Sequence, residues 1–248
     1  MPRQFRRLRP RAARLRAALA APALALIAGC SSTSPPMAPG AAISMARSAW
    51  QIRYSPGMPM QPVANAGGGW AFDFPSSAKG LCPAPATQPP DFNVSPCSHV
   101  DYVTVPYTAP ITANSLTITL DVVASSPVYD YHTAPNNTCV TTAKARLLLE
   151  HTGDASLSNV VYRWWSTTEY VLGDSASGVV LTVPLTTNQW SDVDGQLASS
   201  TPALGAAFAE TLQNMGAVGI TFGGCFAGHG VYLDSGSAKF IVTKFALL

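Results

Sequence analysis

Ser115-Leu116-Thr117-Ile118-Thr119-Leu120-Asp121-Val122 decides the fold class. Side chains alternate faces along a strand, so Leu116, Ile118, Leu120 and Val122 share one face, and Thr117, Thr119 and Asp121 share the other. Such a strand buries one side and leaves the other polar. The stretches 144–150 and 239–245 repeat the alternation less cleanly. Around them lie further short runs rich in Val, Ile, Thr, Tyr and Trp, at 70–74, 100–105, 160–166, 178–184, 217–222 and 230–233. Gly, Pro, Asn, Asp or Ser bounds most of these runs, as strand-and-turn punctuation requires. One helix stands out. Thr201 is a natural N-cap with Pro202 in the first helical position, and Leu204, Ala207, Phe208 and Leu212 follow at helical spacing. Asn214 to Gly216 supply the stop. Many strands with one short crossover helix predict an all-β, antiparallel β-sandwich.

The first thirty residues have a different character. Met1 to Arg16 hold seven arginines and no acid, and the apolar run 17–28 is twelve residues long. A membrane-spanning helix needs about 20. A charged start, a short apolar middle and small residues before a break form an export signal, which stands apart from the fold. The segment ends Leu26-Ile27-Ala28-Gly29-Cys30, which resembles the lipobox of bacterial lipoproteins. That resemblance implies cleavage before Cys30 and diacylation of its thiol. Ser31 and Ser32 in place of an aspartate imply outer-membrane sorting in that family. Each buried methylene contributes roughly 0.8 kcal/mol, so two or three chains hold firmly where one does not. The expected partition is a signal peptide over 1–29, a lipidated cysteine and Pro/Ser/Gly-rich tether over 30–68, and the sandwich over 69–248.

Removing the seven signal arginines leaves eight cations against thirteen acids in 30–248, a formal charge of −5. A nucleic-acid partner needs a basic face, and this chain has too few cations to make one. Cys82, Cys97, Cys139 and Cys225 form an even set in an exported chain, which reads as two disulfides with three connectivities to choose among. The favoured scheme is a local Cys82–Cys97 staple and a long-range Cys139–Cys225 tie. No C-x-x-C or H-x-x-x-H spacing supports a zinc site.

The order of elements over 100–248 resembles the galactose-binding-like jelly rolls, which include many carbohydrate-binding modules. The residues that carry the resemblance are Arg163-Trp164-Trp165-Ser166, Val183-Pro184-Leu185 with Trp190-Ser191, the Ala-rich helix, residues 218–224 and 228–232, and the closing stretch 236–242. It implies the fold and, more distantly, a glycan ligand.

Arg163, Trp164, Trp165, Glu169, Tyr170 and Trp190 lie within 28 residues. Sugars present an apolar C–H face and a fringe of hydroxyls, so their sites combine an aromatic ring with Arg and carboxylates. Strand alternation separates Tyr162 and Trp164 from Arg163 and Trp165. One tryptophan is therefore expected in the core, and Trp165 with Arg163 on the outer or concave face. Trp190, Glu169 and His229 complete the candidate ligand-binding set. His229 sits among glycines in 223–230, where an exposed imidazole can meet a ligand near neutral pH. Asp192-Val193-Asp194-Gly195 begins like a calcium loop but lacks the later ligands of the EF-hand pattern. Jelly rolls of the resembled class often carry a structural calcium; no other cofactor is expected. Gly173-Asp174-Ser175 is similar to an esterase nucleophile block but falls in a β-rich chain with no histidine in 235–248. No G-x-S-x-G elbow, P-loop or dinucleotide fingerprint occurs. Two carboxylates suffice for a glycosidase, and sequence alone does not show any pair converging. The expectation is non-catalytic binding of a glycan or related polar ligand at the envelope. The alternatives are a glycan-cleaving enzyme on the same scaffold and a structural lipoprotein packed on another envelope protein.

Overall fold

The computed structural model describes residues 42–55, 60–76, 99–131, 141–154, 159–224 and 230–248. Eleven strands and one helix follow in chain order. They are β1 (Gln51–Ser55), β2 (Val63–Ala64), β3 (Trp70–Asp73), β4 (His99–Pro106), β5 (Ser115–Tyr131), β6 (Lys144–His151), β7 (Arg163–Val171), β8 (Ala176–Pro184), β9 (Trp190–Ser191), α1 (Pro202–Gln213), β10 (Met215–Gly223) and β11 (Val231–Leu247). Every strand pairing is antiparallel. One layer runs β2-β3-β11-β5-β8 and the other β1-β4-β10-β6-β7-β9; the single pair Val231↔Val100 joins them. Successive strands repeatedly cross between layers, as in a jelly roll.

The alternation in β5 does what the pattern requires. Leu116, Ile118, Leu120 and Val122 are buried against residues of the facing layer, among them Val103, Val218, Ile220, Leu147 and Leu149, in one continuous core. Aromatic rings fill its middle, Phe72, Phe74, Phe222 and Phe240 meeting at centroid distances of 5.1–6.2 Å, edge to face in every pair but Phe72–Phe240. Helix α1 begins where expected. Thr201 accepts from the Leu204 N–H at 3.2 Å, and Phe208 packs on Trp164 and Trp190 at 5.2 and 6.1 Å. Among the described residues no helix is long and apolar enough to cross a membrane.

Two expectations need correction. The domain does not start at residue 69. Ile43, Trp50 and Ile52 are buried in the core, and β1 pairs with β4. Trp50 lies against Trp70 with ring centroids 4.6 Å apart, so the described residues 43–55 and 60–68, read as tether, help build the sandwich. The closing stretch is also one strand rather than two. β11 passes through Gly236 at φ +78°, where a Cβ would sit 2.1 Å from the Ser126 carbonyl oxygen. Only glycine fits there, and it marks a bulge rather than a break. Cys30, Cys82, Cys97, Cys139, Cys225 and His229 lie outside the described residues.

Candidate functional site

The six-stranded layer has a second face, turned away from the core, and this face gathers four of the eight cations in 30–248. Register defines it. Leu148 of β6 stands opposite Trp165 of β7 and Gly219 of β10, and Gly219 stands opposite Thr104 of β4. Thr221 pairs with Tyr102 on one side and Arg146 on the other. Tyr102, Leu148 and Trp165 form a small apolar cluster separate from the main core, with Val193 packed at its side.

Around that cluster stand Arg53, Lys144, Arg146 and Arg163, half of the eight cations in 30–248. Each meets a carboxylate. Arg163 Nε lies 2.7 Å from Asp154 Oδ2, close in distance though not aligned as a hydrogen bond, and its Nη1 donates to the Tyr102 hydroxyl at 3.2 Å. Arg146 donates to Glu169 Oε2 through Nη2 (2.7 Å) and Nε (3.2 Å), while Lys144 Nζ lies 2.5 Å from Oε1. Arg53 Nη2 is 3.8 Å from Glu150 Oε1. At the rim, His99 Nε2 lies 3.1 Å from Asp101 Oδ1.

The carboxyls respond in opposite directions. Burial raises Glu169, but hydrogen bonds from Lys144 and Arg146 and their charges outweigh it and hold the group below its ordinary range. Burial raises Glu150 above its ordinary 4.5; Arg53 pulls it back, Asp154 adds to the rise and Arg163 opposes it, leaving the group raised. Asp101 is raised too, again chiefly by burial, against the pull of His99 and Arg53. A raised carboxyl in the folded state holds its proton more tightly than in the unfolded chain. As pH climbs through 4.5 the unfolded chain releases that proton first, and the fold is penalised. Glu150→Gln is therefore expected to raise the melting temperature at pH 7, with the gain shrinking below pH 4.5. Thermal unfolding at pH 7 and near pH 4 checks this; a loss of stability at both values contradicts it.

The structure brings Arg163, Trp165 and Glu169 to this face. Two expectations are corrected. The Trp165 ring is not uncovered: it is 3% exposed, hemmed by its cluster and Val193, and its indole N–H has no hydrogen-bond partner. Trp190 belongs to the core. Trp165 pairs with Ser191, and Trp190 with Ser166, so register sends Trp190 to the opposite face. It is fully buried, lies against Phe208 and donates to the Pro184 carbonyl at 2.9 Å.

Sequence reasoning misses Tyr102, Arg53, Lys144, Arg146 and Asp154; the one signal for two of them is the charged phase of Lys144-Ala145-Arg146-Leu147-Leu148-Leu149-Glu150. Asp192 Oδ1 accepts the backbone N–H groups of Asp194 (3.0 Å) and Gln196 (2.8 Å), so the suspected calcium loop is a tight turn. Among the described residues no cluster of three or more His, Cys, Asp or Glu can hold a metal ion. Ser175 Oγ bonds the backbone of Ala124 on the neighbouring strand, a turn residue rather than a nucleophile.

No family model and no curated protein matches this chain. Among solved structures it is similar to a xylan-binding module, CBM15, at 13% identity and a TM-score of 0.34, over 82% of this chain and 95% of that one. At that overlap no residue here takes a role from the likeness.

Proposed function

We propose that this chain is a lipid-anchored envelope protein whose sandwich binds a carbohydrate or related polar ligand, without catalysis, at the outer face of β4, β10, β6 and β7. The observation that supports this reading is the gathering of four of eight cations, each beside a carboxylate, around Tyr102, Leu148 and Trp165. A hydroxyl both donates and accepts, so neighbouring Arg and Glu groups suit it from either side. The balanced charges favour a neutral ligand over an ionic one. The buried Trp165 N–H without an acceptor costs on the order of 1–3 kcal/mol, and such a group is an unfilled position in a polar network. Since the ring is covered, sugar contacts would begin at the polar rim and reach Trp165 only as Val193 shifts.

Titration calorimetry against a panel of neutral oligosaccharides tests the reading. Trp165→Ala is expected to weaken binding about tenfold or more, and Trp165→Phe, which keeps a ring in place but lacks the N–H donor, to weaken it by less. A glycan array with no hits, together with unchanged behaviour of Trp165→Ala, removes the proposal. The anchor rests on the sequence ending at Cys30. It is tested by the mass of the protein recovered from membranes, where an unmodified thiol counts against it.

A further inference from the structure

The other layer carries a cavity of about 450 Å³. It arises from the β11 bulge. Pairing between β11 and β5 shifts at Leu233/Ser235 and again at Ser235/Ser237, and Gly236 turns there with positive φ. The chain leaving β3 follows this irregular edge. Phe74 N donates to the Ala238 carbonyl at 3.0 Å, and Leu233 N donates to the Pro75 carbonyl at 2.8 Å. Ser76 is thereby set beside Leu233 in a parallel bridge. The space left between the β3 exit and the bulge has a mixed lining.

One side is apolar, with Phe74, Val123 and Leu233. The other holds Asp73, Lys239 and Ser76. Ser76 is 6% exposed and its buried Oγ has no hydrogen-bond partner. A hydroxyl left in that state is an unmet donor and acceptor at the cavity wall. Lys239 Nζ and Asp73 Oδ1 are 3.9 Å apart, with side chains 44% and 68% exposed, a loose pair that contributes little to the fold and separates readily.

We propose that this cavity is a second ligand site, for a neutral polyol the size of one or two pyranose rings. Small-molecule sites occupy about 300–1,000 Å³, which this one falls within. A ligand hydroxyl can accept from Lys239 while its neighbour donates to Asp73, and another can bond Ser76 Oγ. The sugar's C–H face then covers Val123 and Leu233. An anion or a cation would meet Asp73 or Lys239 as a like charge at the mouth; a neutral polyol meets neither. The site lies on β3, β5 and β11, apart from the face described above, and does not depend on that reading.

Amide chemical shifts of the full chain, titrated with glucose, galactose, xylose, maltose and cellobiose, test it. Saturable shifts are expected at Ser76, Ser237 and Lys239 with at least one of the five sugars. Val123→Trp, at a side chain 58% exposed, fills the space without disturbing the core and should abolish them. Asp73→Ala should weaken binding about tenfold, the loss of one hydrogen bond to a charged group. Trp165→Ala should leave these shifts unchanged, which separates this site from the first. Absence of saturable shifts with all five sugars, or shifts that persist in a folded Val123→Trp protein, overturns the proposal.

Discussion

Arg163→Met destabilises the fold by about 3–5 kcal/mol, because it strands the Asp154 carboxylate. That side chain has no exposure to solvent, and the guanidinium 2.7 Å away is its counter-charge. An uncompensated buried charge is far more costly than the net contribution of the pair it came from. The double variant Asp154→Asn with Arg163→Met should therefore recover most of the loss, since no ion is then left without its partner. Arg163→Lys should recover only part. A single ammonium cannot serve both Asp154 and the Tyr102 hydroxyl as the planar guanidinium does. Urea unfolding of the four proteins measures this, and a loss below about 1 kcal/mol in Arg163→Met would show the contact to be a weak surface pair. Arg163 is thus a poor probe of ligand binding, since its removal disturbs the face as well as any contact. Trp165→Phe separates the two.

Reduction of the cysteines should have an effect of similar size. The described chain ends converge on one ring. Gly223 pairs with Lys144, a Cβ on Gly224 would lie 2.1 Å from the Tyr131 ring, and the Thr141 N–H donates to Tyr131 Oη at 3.2 Å. Cys225 directly follows Gly224, and Cys139 precedes Thr141 by two positions. We therefore propose a Cys139–Cys225 disulfide, with Cys82–Cys97 as the second. A loop of that span contributes about 4–5 kcal/mol by chain entropy, and the shorter one about 3. Non-reducing peptide mapping should recover the 139–225 peptide pair, and Cys139→Ser with Cys225→Ser should lower the unfolding free energy by about 4–5 kcal/mol. Free thiols at both positions would end this proposal.

What could be read in the sequence follows the range of the interactions. The inward phase of β5, the cap on α1 and the split of Trp164 from Trp165 are local, and each is visible in a few consecutive residues. The candidate face is not local. Arg53, Tyr102, Glu150 and Arg163 come from four strands and meet only through register, which no short window contains. Trp190 shows the same limit: nearness in sequence to Trp165 says nothing about which side of β9 it takes. The early strands were hidden for a different reason. Pro56, Pro59 and Pro62 and the glycines at 67–69 are strong turn signals, and they masked the Trp50-Gln51-Ile52-Arg53-Tyr54 alternation that buries Trp50.

That burial of Trp50 and Ile43 shortens the leash. If the lipid sits on Cys30 as proposed, only about a dozen residues, 31–42, separate it from Ile43, a chain length of roughly 40 Å at most. A tether reaching residue 68 would have allowed roughly 125 Å. Under that proposal the sandwich would stay within about one domain's width of the bilayer and would meet molecules that coat the membrane rather than those across a wider gap. On that proposal, grafting extra Gly-Ser residues between Ser34 and Met37 would lengthen its radius of action.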